Sequence, residues 1–154
     1  MVEEGKKAPA FSLPDQNANR VKLADYAGKW LVLFVYPKAN TPGCTQEACG
    51  FRDLAADFAK AGASIVGLSK DTPAAQKKWE EKYALPYPLL SDPDAAVMTK
   101  YGAWGEKIMY GKKVTGAIRS TFLIAPDGTV AKAWRKVKIT GHVDEVLAAL
   151  KEAK

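Results

Sequence analysis

The sequence is poor in soft metal ligands, with two cysteines and one histidine in 154 residues. Cys44, Cys49 and His142 fall short of the four ligands that a structural zinc site uses. Long apolar runs are missing too, and no segment approaches the ~20 residues of a membrane-spanning helix. The opening stretch, residues 1–7, lacks the apolar core of a secretory signal, which leads to the expectation of a cytoplasmic protein without a membrane partner. Charge is not bunched. Lysines and arginines number 23 against 17 acids, interspersed along the chain. The net charge of +6 therefore predicts a mildly basic solvated surface rather than a nucleic-acid-binding stripe. There is no internal repeat, low-complexity tract or linker, so residues 1–154 are expected to form one domain with a full core.

Both cysteines fall in one segment, YPKANTPGCTQEAC, residues 36–49. It follows Trp30–Tyr36, a β-branched and aromatic run that reads as a buried strand, ended by Pro37 because proline cannot donate to a ladder. Thr41 suits a helix N-cap, Pro42 the first helical position, and Gly43 follows. Cys44 is thereby predicted in the first turn, at an exposed helix end. The N–H groups there lack intrahelical acceptors and the macrodipole adds positive charge, so a thiolate is favoured over the thiol. That effect is worth ~2 kcal/mol at most, against the ~8 kcal/mol or more that enzymes supply, so further donors are required. Five helical residues separate the Cα atoms of Cys44 and Cys49 by ~8.6 Å. Disulfides need ~7 Å or less. A bond between them requires the first turns of the helix to unwind.

Along the rest of the chain, residues 8–23 predict a small N-terminal hairpin. The helix from Thr41 is expected to run to about Ala61, with Phe51, Ala55, Phe58 and Ala59 inward. Residues 64–69 read as a second buried strand, 73–83 as a helix and 87–90 as a short strand, before a helix ending near Tyr101. Residues 102–116 read as a Gly- and Lys-rich connection. Residues 120–137 read as a hairpin turning at Pro126-Asp127-Gly128, and 141–151 as an amphipathic helix. This order predicts an α/β protein, a central mixed sheet flanked by helices, with Cys44 just past the C-terminal end of a core strand.

Read on their own, several residues have plain roles. His142 reads as a surface or capping residue, and Arg119 as a surface strand arginine. A small buried core residue is the plainer alternative for Cys49, and Lys132, Arg135, Lys136 and Lys138 read as charges guarding an exposed strand. Trp104 reads as core, or as a flank of the pocket.

The pattern Pro37-x-x-x-Thr41-x-x-Cys44 resembles the signature of the peroxiredoxin Q family, also called bacterioferritin-comigratory proteins. Phe11-Ser12-Leu13-Pro14-Asp15, Tyr101-Gly102-x-Trp104-Gly105-Glu106-Lys107 and Arg119-Ser120-Thr121-Phe122-Leu123-Ile124 match it in family order. The resemblance implies a thioredoxin-like fold and a thiol peroxidase. It makes Cys44 the peroxidatic cysteine, Cys49 the resolving one, and Thr41 a holder of sulfur and peroxide. Pro37 would shield the pocket, and Arg119 would approach from a neighbouring strand to stabilise thiolate and peroxide. Thr41, Gly43, Cys44, Glu47 and Arg119 then form the substrate-binding set. Hydrogen peroxide and organic hydroperoxides are the implied substrates, thioredoxin or glutaredoxin the reductant, and a monomer the working state, with no metal or organic cofactor. Two competing functions use the same cysteines. A thioredoxin-type disulfide oxidoreductase is disfavoured by a spacing that is not Cys-x-x-Cys. A non-enzymatic redox sensor or holdase would switch by the same unwinding.

Overall fold

The computed structural model describes residues 2–154. Its centre is β3 (Trp30–Val35), five of whose six residues are buried. A strand apolar at every position must be covered on both faces, and it is. Val32, Phe34 and Tyr36 point into one core, with Phe51, Phe58, Trp79, Val146 and Leu150. Leu31, Leu33 and Val35 point into the other, with Met98, Tyr101, Phe122 and Val130.

Two small strands, β1 (Ser12–Pro14) and β2 (Arg20–Lys22), precede it as the expected antiparallel hairpin, and a 3-10 turn at Leu23–Tyr26 leads into β3. After β3 come α1 (Pro42–Asp53), α2 (Ala55–Lys60), β4 (Ala63–Ser69), α3 (Pro73–Tyr83), β5 (Leu89–Ser91) and α4 (Ala96–Lys100). The chain continues through β6 (Trp104–Met109), β7 (Lys112–Ala117), β8 (Ser120–Ile124), β9 (Val130–Arg135) and α5 (His142–Ala153). The main sheet runs β5-β4-β3-β8-β9, with β3, β4 and β5 parallel and β8 and β9 antiparallel to their neighbours. That is the mixed α/β sheet expected of a thioredoxin-like fold. No helix among the described residues is long and apolar enough to cross a membrane.

The structure corrects two expectations here. The helix from Thr41 does not run unbroken, since Leu54 leaves helical geometry (φ −104°, ψ 8°) and divides it, and Ala59 is exposed. Residues 102–116 are not an irregular connection. They hold the β6–β7 hairpin, closed by Tyr110 and Gly111, both at positive φ (53° and 77°). Two consecutive left-handed residues fit the right-handed twist of a hairpin, and the glycine makes the second inexpensive. This hairpin stands off the main sheet and carries the exposed Ile108, Met109 and Tyr110 at its tip.

Candidate active site

The loop that leaves β3 positions the site. Pro37 ends the strand, Asn40 takes the left-handed conformation (φ 62°), and Pro42 starts α1. A backbone this tight needs anchors. The Ala39 N–H donates to Asp71 Oδ2 at 2.8 Å, and Ser69 Oγ, at the end of β4, donates to the same oxygen at 2.7 Å. The Thr41 hydroxyl donates to the Lys38 carbonyl at 2.7 Å. Thr41 holds the N-cap position without capping with its side chain, so it does not satisfy the N–H groups of Gly43 and Cys44. Asp71, three elements away in the fold, was invisible as a site residue because no local pattern links it to the loop.

Cys44 is 1% exposed, so the expected exposed helix end is covered. What covers it is Arg119, which lies in the short link between β7 and β8, not within a strand. Arg119 Nη2 donates to Cys44 Sγ at 3.3 Å, and Nη1 donates to Glu47 Oε1 at 2.8 Å. The planar fork thus joins two groups on one face of α1, where the i, i+3 spacing places Cys44 and Glu47 side by side. Gly43 packs beside this contact and against Ile139. A Cβ there would sit 3.2 Å from Ile139 Cδ1 and 3.5 Å from Arg119 Nη2.

Burial lowers the Arg119 pKa, but the charges of Cys44 and Glu47 outweigh it and hold the guanidinium above its ordinary value. Burial also pushes the Glu47 carboxyl up from 4.5 to about 7, against the pull of Arg119. Its Oε2 is buried with no hydrogen-bond partner. Glu47 is therefore costly where it stands, and the contact that explains it is the one orienting Arg119.

Cys49 is half-buried on another side of α1, and both cysteines are free thiols. Three side-chain bonds hold α1 closed from the α3–β5 side. Trp79 Nε1 donates to Thr45 Oγ1 (3.1 Å), the Tyr87 hydroxyl to the Ala48 carbonyl (2.5 Å), and Arg52 Nη1 to the Tyr83 carbonyl (2.8 Å).

His142 is not a surface or capping residue. It is 3% exposed and its Nε2 lies 2.8 Å from Thr121 Oγ1, with Phe51 and Trp134 edge-on around it. Arg135 likewise is no guard of the strand edge, since it donates to the carbonyls of Val2 and Tyr101. Trp104, half-buried against the second core, carries Lys70 above its ring. The structure brings Cys44, Glu47 and Arg119 into contact, sets Gly43 beside Arg119 and puts Pro37 with Arg119 on the wall of one cleft, while the Thr41 hydroxyl is turned to Lys38 and Cys49 lies outside these contacts.

A cleft of about 560 Å³ opens beside Pro37 and Arg119, walled by the β6–β7 hairpin and by Lys136 and Val137. The hairpin wall was missed with the hairpin itself. Its sequence signal was Tyr110-Gly111 between the short runs 104–109 and 112–117.

Comparison with known proteins identifies the family. Residues 4–133 match the AhpC/TSA family. The chain is 45% identical to the peroxiredoxin Bcp of Bacillus subtilis over 151 residues, 98% of this chain and 96% of that one. It is 43% identical to the peroxiredoxin Bcp of Escherichia coli K12 over 151 residues, 98% and 97% of the two chains. Among solved structures it is similar to Xanthomonas campestris peroxiredoxin Q, at TM-score 0.90, 44% identity and 97% coverage of each chain. Another is the bacterioferritin comigratory protein of the same organism, described for its alkyl peroxide reduction activity, at TM-score 0.91 and 42% identity, covering 98% and 99% of the two chains. With its thioredoxin-like fold, the chain belongs to the AhpC/TSA family, as a peroxiredoxin alongside the Bcp and peroxiredoxin Q proteins.

Proposed function

We propose that the protein is a thioredoxin-dependent thiol peroxidase of the two-cysteine type, reducing hydrogen peroxide and organic hydroperoxides through Cys44 and Cys49. The observation that carries the reading is the 3.3 Å contact of Arg119 Nη2 with Cys44 Sγ at the start of α1. The thiolate attacks the terminal oxygen of the hydroperoxide. The S–O bond forms as O–O breaks, and the leaving oxygen takes a proton and departs as water or an alcohol. Charge shifts from sulfur to oxygen in this step, and the guanidinium and the free N–H groups of Gly43 and Cys44 are donors for it. The Thr41 proton is committed to Lys38, so its oxygen serves as acceptor for the hydroperoxide O–H. Pro37, on the cleft wall, keeps water from the sulfur.

The sulfenic acid on Cys44 is then resolved by Cys49. Its thiolate attacks the Cys44 sulfur, S–S forms, and the oxygen leaves as water. Helix geometry keeps these residues too far apart for the bond, so α1 must open first. An external dithiol, thioredoxin with glutaredoxin as the alternative, supplies two electrons to restore both thiols. The working state in this reading is a monomer. The test is hydroperoxide consumption with a thioredoxin system. The wild type is expected to turn over and Cys44→Ser to give only the background rate. Equal rates would overturn the reading.

A further inference from the structure

A run of buried polar side chains ties the loop that seats Cys44 to α3. Its centre is Gln76, which with Trp79 makes the buried face of that helix. Gln76 is fully buried, and a buried amide is costly unless its donors and acceptor are met. An apolar residue would suit the inner face of an amphipathic helix without that cost. Gln76 makes three bonds instead. Its Nε2 donates to the Leu90 carbonyl and to Ser69 Oγ, both at 3.0 Å, and its Oε1 accepts from the Tyr36 hydroxyl at 2.6 Å. One side chain thereby joins the residue just past β3 to the last residue of β4 and to β5.

The direction of these bonds is fixed. A carbonyl can only accept, so Leu90 requires the amide nitrogen on its side and leaves Oε1 to Tyr36. Burial pushes the Tyr36 hydroxyl well above its ordinary pKa, against the pull of its own hydrogen bonds, so it stays protonated and donates. The charges of Asp71 and Cys44 add to that push. Ser69 Oγ accepts from Gln76 and, at 3.1 Å, from the Asp71 N–H, and it gives its own proton to Asp71 Oδ2 at 2.7 Å. The same carboxylate oxygen takes the Ala39 N–H at 2.8 Å. From the Gln76 amide the bonds lead through Ser69 to the acceptor that holds the backbone between Pro37 and Thr41.

We infer that Gln76 is a positioning residue for the reaction of Cys44, acting through Ser69 and Asp71 to set the loop of residues 37–41 against the first turn of α1. The inference rests on the peroxidase reading and adds a residue to that same site. It differs from a packing role in being serial. Without Asp71, Gln76 has no hold on the loop.

The test is a double-mutant cycle on the second-order rate of Cys44 oxidation by hydrogen peroxide, followed by stopped flow in the whole chain. Gln76→Met keeps the length of the side chain without its amide, and Asp71→Ala removes the acceptor. Each should lower the rate by about tenfold, as displacement of a reacting group does. The double variant should also lose about tenfold, whereas independent effects would multiply to about a hundredfold. Asp71→Asn, whose amide oxygen can take both bonds, should hold the rate within about threefold of the wild type, a rescue that lost packing would not show. If Gln76→Met does not fold, Ser69→Ala removes a single oxygen from the middle of the run and takes its place in the cycle. Losses that multiply, an asparagine variant as slow as the alanine one, or a Gln76→Met rate within about twofold of the wild type would overturn this inference. The wild-type reaction would leave the peroxidase reading standing. Wild-type Cys44 reacting only as slowly as a free thiol would overturn both.

Discussion

Cys44 and Cys49 ride on one helix, five positions apart, in opposite surroundings. Cys44 is sealed beneath a guanidinium whose second arm is held by a buried carboxylate. Cys49 is a half-buried free thiol away from that fork. The inner face of α1 is built of Cys44, Glu47, Ala48 and Phe51, all buried. What holds the helix down is a small set of side-chain bonds from Trp79, Tyr87 and Arg52. The first cysteine sits where charge is stabilised. The second sits where release of the helix frees it. In the proposed cycle, one helix thus combines a rigid reactive end with a detachable flank.

Removing the reactive end should have the largest effect. Cys44→Ser is expected to abolish hydroperoxide consumption, measured by peroxide loss in a thioredoxin-coupled assay, whereas Cys49→Ser should keep the first turnover and lose the sustained rate. If the two variants behaved alike, the division of roles would collapse.

Next is the fork. Arg119→Leu removes a preorganised donor from the site where charge moves, and the second-order rate with peroxide, followed by stopped flow, should drop by about 10²–10³-fold. Arg119→Lys restores charge without the planar fork and should fall between. A loss of less than about threefold in the leucine variant would make the guanidinium a packing group, since it would then be supplying well under 1 kcal/mol.

The detachable flank predicts a gain. Tyr87→Phe deletes the bond to the Ala48 carbonyl, worth ~1 kcal/mol. Conversion of the oxidised Cys44 intermediate to disulfide should then speed up by as much as about fivefold in rapid-quench mass analysis. A slower conversion would mean that the latch guides the opening rather than resisting it.

The smallest effect is a slope. Folding raises the Glu47 carboxyl from 4.5 to about 7. The folded state therefore binds the extra proton, and stability falls as pH rises between those two values. Glu47→Gln should lack that fall. His142, held below its ordinary 6.5 chiefly by burial, contributes the opposite slope below that value in both proteins and cancels in the difference. Denaturant midpoints at pH 4.5, 5.5 and 7 measure it. Parallel pH profiles would place the Glu47 proton elsewhere.

Much of the fold was legible in sequence because local signals agreed with tertiary demands. Trp30–Val35 is apolar throughout because both faces are covered, and Thr41-Pro42-Gly43 reads as a helix start wherever it occurs. What failed to show depended on distant partners. His142 looks like a helix-start residue until Thr121, Phe51 and Trp134 close around it. Asp71 looks like a turn acid until it is seen to hold the Ala39 N–H. The β6–β7 hairpin was hidden because Gly105, Gly116 and charged residues interrupt its strands, which blurs the alternation that marks a strand, leaving Tyr110-Gly111 as a lone cue. At the site, spacing on its own showed that Cys44 and Cys49 cannot bond in an intact helix. The role of Arg119 came from resemblance, because its contact with Cys44 spans 75 residues of sequence.

The most direct test is intact mass under denaturing, thiol-blocked conditions after one equivalent of hydrogen peroxide, on the wild type and on Cys49→Ser. Expected are a rapid intramolecular disulfide, seen as the loss of two hydrogens, in the wild type, and a sulfenic acid on Cys44 in Cys49→Ser. If both proteins instead react only as slowly as a free thiol, Cys44 is not activated, and the peroxidase assignment is contradicted.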